Sequence, residues 1–181
     1  MSHITFHSES EAQTHNFAAV CATSVSVGLT IALNGQLGSG KTYFVRSFCR
    51  HLGIDPSIIT SPTFVLQQVY ECPEWTVSHF DTYRLADHDE FLALGAEDDL
   101  FDPQRICFVE WAERITEILP KDHLLVEIRQ SGPTARRFDL ISRGPVSDNI
   151  VNKVRGKLTG EQALRSVHGH TKPPGGQLSG D

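Results

Sequence analysis

The hydrophobic residues of this chain fall into short runs and repeats that predict alternating strands and helices. The runs 30–34, 106–110 and 124–128 are mostly apolar, which is typical of short strands buried in a sheet. Between the first two runs, residues 44–52 carry a phenylalanine or leucine at every fourth position, and this spacing predicts a helix with one apolar face. Strands that alternate with helices indicate an α/β domain.

Two pairs of neighbouring segments predict antiparallel hairpins. Residues 64–70 and 75–80 both have strand composition, and the connection between them is too short for a crossover between parallel strands. Residues 131–133 turn the chain after the run 124–128, so we expect residues 137–141 to return antiparallel to it. The other predicted elements are a strand at 4–6, a helix that begins at the capping box Ser10–Gln13, and helices at 87–94 and 112–119.

The C-terminal part of the chain has weaker signals. An amphipathic helix is expected within 147–166, with interruptions at Gly156 and Gly160. The segment 168–181 is rich in glycine and proline and poor in apolar residues, so we expect it to be disordered.

Composition and charge narrow the class of protein. The 181 residues are 39% hydrophobic and 21% charged, which is ordinary for a soluble globular protein. We expect one domain at 1–143 and a C-terminal extension at 144–181. The domain carries 11 basic and 19 acidic residues, which argues against a primary role in nucleic-acid binding.

The sequence also indicates a compartment. No apolar run approaches the roughly 20 residues of a membrane span, and the first residues lack the features of a signal peptide. The four cysteines are scattered without a C-x-x-C pair, so we expect reduced thiols. A cytoplasmic protein with no membrane segment is the expectation.

The stretch 35–42 matches the phosphate-binding loop pattern G-x-x-x-x-G-K-[ST] at every fixed position. Glycines let successive backbone N–H groups point at phosphate oxygens, and the following helix adds a favourable dipole. Lys41 can reach the β- and γ-phosphates, and Thr42 can offer its hydroxyl to Mg²⁺. The predicted nucleotide-binding residues of this loop are Gly35, Gly38, Ser39, Gly40, Lys41 and Thr42. We therefore predict a three-layer P-loop NTPase-like fold with a mixed, largely parallel central sheet, helices on both faces and antiparallel hairpins.

Two carboxylates and a threonine follow at places where such folds bind ligands. Glu110 ends a buried strand and is predicted to hold Mg²⁺ together with Thr42; the alternative is a helix cap. Asp81 ends the strand 75–80, where a turn or an N-cap explains an aspartate as well as metal or water binding does. Thr63 is a candidate for closing on Mg²⁺ and the γ-phosphate, and a loop that only introduces the next strand is an equal alternative.

Four motifs in this order resemble the bacterial TsaE (YjeE) family of small P-loop ATPases. They are the loop 35–42, Ser61-Pro62-Thr63-Phe64, His79-Phe80-Asp81-x-Tyr83-Arg84-Leu85 and Val109-Glu110-Trp111. The likeness extends over roughly residues 6–143. It implies that ATP and Mg²⁺ are bound, and that the protein sustains turnover by the TsaB–TsaD heterodimer. That complex transfers a threonylcarbamoyl group to adenosine 37 of tRNAs decoding ANN codons, so contact with tRNA is expected to be indirect.

The resemblance also implies roles for individual residues. Lys41, Asp81 and Glu110 take catalytic roles, with Asp81 positioning the attacking water or the metal shell. The residues expected at ATP outside the loop are Ser8, Ser10, Thr14, Thr63 and Arg136. Helix capping and surface polarity explain the first three when the resemblance is set aside. Gln36 stands where the family usually has an acidic residue, outside the fixed positions of the loop.

Other classes of nucleotide-binding protein fit the same loop. A small-molecule kinase is the first alternative, although residues 85–104 contain no lysine or arginine for a phosphate-binding lid. A regulatory GTPase is the second, but Asn152-Lys153-Val154-Arg155 has only the first half of an N-K-x-D motif. A nucleotide-sensing module with negligible turnover is the third.

Overall fold

A computed structural model of the chain describes residues 1–26, 28–85 and 88–168, with residues 161–168 described as backbone only. The strands within this part are β1 (His3–Ser8), β2 (Leu29–Asn34), β3 (Gln67–Glu71), β4 (Thr76–Asp81), β5 (Arg105–Glu110), β6 (Leu124–Gln130) and β7 (Arg136–Ser142). The α-helices are α1 (Glu11–Ala22), α2 (Lys41–His51), α3 (His88–Ala93), α4 (Glu97–Phe101) and α5 (Pro145–His168). Two short 3-10 helices lie at Pro56–Ile58 and Ala112–Arg114.

The seven strands form one sheet in the order β1-β7-β6-β2-β5-β4-β3. The four central strands, β6, β2, β5 and β4, run parallel to one another. The pairs β1/β7, β6/β7 and β3/β4 are antiparallel, which confirms both predicted hairpins. The parallel centre brings the carboxyl ends of β2, β4 and β5 to one edge, where ligands bind in open α/β sheets.

The helices cover both faces of the sheet, as predicted for a three-layer fold. Successive residues of a strand face opposite sides, so Ile31 and Leu33 lie in one apolar cluster and Ala32 lies in the other. The first cluster includes residues of α1, α2 and α5, and the second includes residues of α3 and α4. The phosphate-binding loop is thus carried by a rigid strand and helix of the core.

Ser10 caps the first helix as predicted, but the second bond of the capping box is displaced by one residue. The Ser10 hydroxyl accepts a hydrogen bond from the Gln13 N–H at 3.2 Å, and the Gln13 side chain accepts one from the Glu9 N–H at 2.8 Å. The first bond satisfies a backbone donor of the first helical turn, and the second ties the residue before Ser10 to the helix. The start of α1 is therefore well defined beside the end of β1.

Strand β3 begins later than predicted, at Gln67 and not at residue 64. The carbonyl of Pro62 accepts the N–H groups of Val65 and Leu66, at 3.1 and 2.7 Å, so the chain turns here. Phe64 and Val65 remain 81% and 62% exposed. Their apolar character predicted a strand, but the turn at Pro62 takes the N–H groups of Val65 and Leu66 out of the sheet.

The prediction of a helix at 112–119 is also wrong. Of this segment, only Ala112–Arg114 is helical, and it forms a short 3-10 helix. Trp111 enters this segment in the left-handed region, with φ of 60°. Tight three-residue closures follow, including Ile118 N–H to Ile115 carbonyl at 3.1 Å. Pro120 disfavours helical geometry at Leu119, the residue before it. Ile115 is buried although it does not belong to a regular helix.

The C-terminal helix α5 is continuous through Gly156 and Gly160, where the sequence predicted interruptions. Each internal glycine costs about 1 kcal/mol relative to alanine, which weakens a helix without ending it. The side chains that bury this helix in the first core cluster are Ile150, Val151 and Val154. The extension therefore packs on the predicted ATPase domain, and residues 169–181 of the predicted disordered tail lie outside the described residues.

Two further expectations concern cysteines and membranes. Cys21, Cys49 and Cys107 are buried, Cys72 is half-buried, and all four are free thiols, as predicted. Burial raises the pKa of the Cys49 and Cys107 thiols to about 12. Among the described helices, none is both long and apolar enough to cross a membrane.

Candidate functional site

The phosphate-binding loop connects β2 to α2 at the carboxyl edge of the sheet. The helix begins directly after the loop, with the Phe44 N–H donating to the Gly40 carbonyl at 2.9 Å. The N–H groups of the first turn have no partners inside a helix and attract anions. The Ser39 hydroxyl is buried and has no hydrogen-bond partner among the described residues. An orphaned buried donor at a helix N-terminus suits a bound phosphate oxygen.

Lys41 is folded back onto this loop. Its Nζ donates to the carbonyls of Gly35 and Gln36 at 2.7 and 3.2 Å, and it lies 3.8 Å from the centroid of the Trp111 ring. Burial lowers the pKa of Lys41, and the nearby carboxylates, Glu110 first, act in the opposite direction. The ammonium group is therefore held at the loop by neutral partners that a phosphate can replace.

Thr42 and Glu110 meet beside the loop. The Thr42 hydroxyl donates to Glu110 Oε1 at 2.7 Å, and His79 Nε2 lies 2.9 Å from the same oxygen. A hydroxyl that donates its proton keeps two lone pairs, so Thr42 remains able to bind a cation. Glu110 is only 3% exposed.

These two side chains fit a magnesium site that is completed by phosphate and water. Mg²⁺ is usually held by one or two protein oxygens together with substrate phosphates and several waters. In the part of the chain described, no group of three or more His, Cys, Asp or Glu side chains is arranged as a complete metal site. A cation here would therefore depend on the nucleotide for its remaining ligands.

Asp81 ends β4 directly beside Glu110, its register partner at the end of β5. Its Oδ2 accepts hydrogen bonds from the hydroxyls of Ser61 and Thr63 at 2.8 and 2.6 Å. Its Oδ1 accepts one from the Tyr83 N–H at 2.9 Å. The structure thus joins Thr63 and Asp81 to each other, next to the Thr42–Glu110 pair but not hydrogen-bonded to it.

A cleft of about 120 Å³ lies on the other side of the loop. Its lining residues are Glu11, Thr14, Ser39, Gly40, Tyr43, Pro133, Thr134, Arg136 and Phe138. Arg136 donates from Nε to the Ser39 carbonyl at 2.7 Å, so the C-terminal hairpin is tied to the loop. The lining of the cleft is apolar at Phe138 and polar at Thr14, a mixture that small-molecule sites use.

The three N-terminal residues predicted at the nucleotide are placed differently from one another. Thr14 lines the cleft. Ser8 is buried and bonds to the Ser10 carbonyl and to the Thr14 hydroxyl, both at 2.8 Å. Ser10 caps α1. Ser8 and Ser10 are therefore brought near the cleft but support Thr14 and do not line the cleft.

Sequence reasoning assigned no role to His79 or Trp111, which the structure places in the site. His79 is a fully buried polar side chain in β4, and its direct neighbours along the strand are Ser78 and Phe80, both buried. The mixture of polar and apolar residues in this strand gave no sign that the imidazole lies against a carboxylate. Trp111 covers the Lys41 ammonium group, and its position directly after Glu110 gave no sign of this contact.

The fold and the site together define the class of protein. A glycine-rich loop joins a central parallel strand to a helix, with Lys41 and Thr42 at the start of that helix. A carboxylate ends the neighbouring parallel strand at Glu110. This combination is that of a P-loop NTPase fold.

Comparison with known proteins identifies the family. The sequence matches the family described as Threonylcarbamoyl adenosine biosynthesis protein TsaE over residues 8–138, and the chain belongs to the TsaE family. It is similar to the tRNA threonylcarbamoyladenosine biosynthesis protein TsaE of Rickettsia bellii (strain RML369-C), with 37% identity over 66% of this chain and 82% of that protein. The protein of the same name from Bacillus subtilis (strain 168) is 36% identical over 73% of this chain and 81% of its own length.

A solved structure supports the same assignment. The crystal structure of Bacillus subtilis YdiB matches this fold with a TM-score of 0.70 and 25% sequence identity. The match covers 89% of this chain and 97% of YdiB.

Proposed function

We propose that this chain is a Mg²⁺-dependent ATPase that supports TsaB–TsaD in the threonylcarbamoylation of adenosine 37 of tRNAs decoding ANN codons. The observation that carries the proposal is the contact of Thr42 with Glu110, at 2.7 Å, beside the phosphate-binding loop. One hydroxyl and one carboxylate at this place are the protein ligands that a P-loop enzyme offers to Mg²⁺.

The residues around the phosphates would each act by charge or position. Thr42 and Glu110 would hold the cation, which would supply positive charge beside the phosphates. Lys41 would exchange the carbonyls of Gly35 and Gln36 for phosphate oxygens. The loop N–H groups and the orphaned Ser39 hydroxyl would bind further oxygens, and preorganised donors of this kind stabilise developing charge.

Asp81 and Thr63 would act at the side of the γ-phosphate. An ionised carboxylate is an acceptor with several lone pairs, so a water molecule can take the position on Asp81 that the Thr63 hydroxyl occupies. We propose that Asp81 orients the attacking water or the metal shell after Thr63 turns to the phosphate. The nucleoside would occupy the cleft between Thr14 and Phe138, with Arg136 close to the phosphates.

The role in tRNA modification rests on the family. The curated relatives are named for threonylcarbamoyladenosine biosynthesis in tRNA. The acidic composition of residues 1–143 supports a helper that engages protein partners, with tRNA held mainly by the complex. A cytoplasmic location is part of the same proposal. It also includes slow hydrolysis by the isolated chain and stimulation by the partners.

The test is ATP hydrolysis with Mg²⁺, measured with and without TsaB–TsaD and tRNA. We expect stimulation by the partners, and we expect Glu110→Ala to reduce the rate at least about tenfold. The matched control is Glu117→Ala, because the Glu117 side chain is 83% exposed and lies outside the site. Hydrolysis at the wild-type rate by Glu110→Ala would contradict the metal assignment.

Three other outcomes would redirect the proposal. A rate of hydrolysis that the partners do not change would support ATPase activity and contradict the role with TsaB–TsaD. Consumption of ATP that rises with a hydroxyl-bearing metabolite would favour a small-molecule kinase. Tighter binding of GTP than of ATP would contradict the assignment of ATP as substrate.

A further inference from the structure

His79 is a buried polar group that the proposed mechanism leaves without a role. Its side chain is 0% exposed, and its Nε2 lies 2.9 Å from Glu110 Oε1. Its second ring nitrogen, Nδ1, is buried and has no hydrogen-bond partner among the described residues. Burying a polar ring in the sheet is costly unless its hydrogen bonds compensate, so the bond to Glu110 is the interaction to explain.

The direction of this bond follows from the acceptor. An ionised carboxylate only accepts hydrogen bonds, so opposite Glu110 in that form Nε2 carries the proton and donates. The charged acceptor makes the bond stronger than one between neutral groups. His79 also lies in β4, opposite Phe108 of β5, so its backbone is held by the centre of the sheet.

Both donors meet Glu110 at the same oxygen. Thr42 and His79 each donate to Oε1, and no hydrogen bond to Oε2 is recorded in the described part of the chain. Two donors on one oxygen leave the other for a cation or for its bound water. The two donors have different roles. Thr42 is itself a proposed metal ligand, whereas His79 lies within the sheet, opposite Phe108, which is two residues before the end of β5.

We propose that His79 is a positioning residue that holds the Glu110 carboxylate in place for Mg²⁺. The inference rests on the proposed function, since it gives His79 a role toward the proposed metal ligand. Groups that hydrogen-bond a metal ligand orient it, and their loss typically weakens metal affinity about 10–100-fold. A purely structural role would instead affect folding stability without a specific effect on Mg²⁺.

The test compares two substitutions of nearly equal size. His79→Gln keeps an N–H donor near the position of Nε2, whereas His79→Met has a similar length and no donor. The measurement is the Mg²⁺ concentration that gives half-maximal binding of a non-hydrolysable ATP analogue, by calorimetry. We expect His79→Met to need about 10–100-fold more Mg²⁺, and His79→Gln to stay close to wild type. Without Mg²⁺ all three proteins should bind the analogue equally.

The outcomes separate this inference from the proposed function. If wild type binds the analogue with no dependence on Mg²⁺, the metal site fails and the inference falls with it. If wild type depends on Mg²⁺ and His79→Met does not differ from it, only the role of His79 is overturned. Equal losses in His79→Gln and His79→Met would overturn that role as well.

A second measurement covers the case in which His79→Met does not fold. In wild-type protein labelled with ¹⁵N-histidine, NMR reports which ring nitrogen of His79 carries the proton. We expect the proton on Nε2 in the metal-free protein and again after addition of Mg²⁺ and the ATP analogue. A proton on Nδ1, or loss of the Nε2–H signal in the loaded protein, would overturn the inference.

Discussion

Replacing Gly35 with alanine tests whether the folded protein requires direct packing of the phosphate-binding loop on the backbone of β6. A Cβ atom at this position would lie 2.4 Å from the Ile128 carbonyl oxygen and 2.7 Å from the Ser39 hydroxyl. The Ile128 oxygen belongs to the backbone of β6 and cannot rotate away. Gly35 also has φ of +152°, a conformation that side chains rarely adopt.

Gly38→Ala is the matched control within the same loop. Gly38 has φ of +77°, but a Cβ there meets no atom within 4 Å. Backbone strain costs about 1–3 kcal/mol at either position. Overlap at Gly35 should add about 1–3 kcal/mol. For a chain of this size, 1 kcal/mol shifts Tm by about 2–4 °C. Gly35→Ala should therefore unfold about 2–12 °C below Gly38→Ala.

The assay is thermal unfolding of both variants, followed by circular dichroism without nucleotide, with urea unfolding as a second measure of the free energy of unfolding. We expect Gly35→Ala to be the less stable protein by both methods. Equal stability of the two variants, or a more stable Gly35→Ala, would refute the reasoning that the loop packs directly on the Ile128 carbonyl.

Two other predictions concern the cleft and the buried thiols. Arg136→Met removes donors to the carbonyls of Ser39 and Gly38, so calorimetry should show ATP binding weakened about tenfold. The control is Arg129→Met, which should not change the affinity because the Arg129 side chain is 63% exposed. Equal affinities of the two variants would contradict the proposal that the nucleotide binds in the cleft. Burial raises the pKa of Cys49 from 9.0 to about 12 in the folded state. The folded protein then retains a proton that the unfolded chain releases, so the free energy of unfolding should fall as pH rises from 9.0 towards about 12. Cys49→Ala should flatten this fall by up to about 1.4 kcal/mol per pH unit, and an unchanged pH dependence would contradict the assignment.

The centre of the fold was predictable from the sequence because its elements have clear periodicity. The apolar runs that became β2, β5 and β6 are buried between two layers of helices. Strands that are buried on both faces are recognisable in the sequence as short apolar runs, without knowledge of their tertiary contacts. The glycine-rich loop was predictable for a similar reason, because its backbone geometry and its ligand restrict the residue types at fixed spacing.

The segments outside the central strands were less predictable, because an apolar residue there is not necessarily buried in a strand or a helix. Phe64 and Val65 suggested a strand, but a turn at Pro62 leaves them exposed. A helix was predicted at 112–119, yet Ile115 of this segment is buried in tight turns that follow Trp111 in the left-handed region. The helix α5 continues through Gly156 because packing elsewhere along the helix outweighs a local propensity of about 1 kcal/mol.

Within the site, the sequence predicted single residues better than it predicted contacts. The loop was predicted from its residue pattern, and Glu110 was predicted as a metal ligand from its position at a strand end. The role of Asp81 was implied by the family resemblance, and all three remain predictions. The bonds from Thr63 to Asp81 and from His79 to Glu110 depend on the register of β4 and β5 and on the path of the loop at 61–63. Neither the register nor that path follows from composition or spacing.

The most direct test of the central claim is multiple-turnover threonylcarbamoylation of tRNA by TsaB–TsaD. The reaction would be supplied with ATP, Mg²⁺ and the threonylcarbamoyl donor, and with wild-type chain or Glu110→Ala. We predict that wild type sustains repeated rounds of modification. With Glu110→Ala, modification should stop after the first round. Equal modification with wild type, with Glu110→Ala and without the chain would contradict the account.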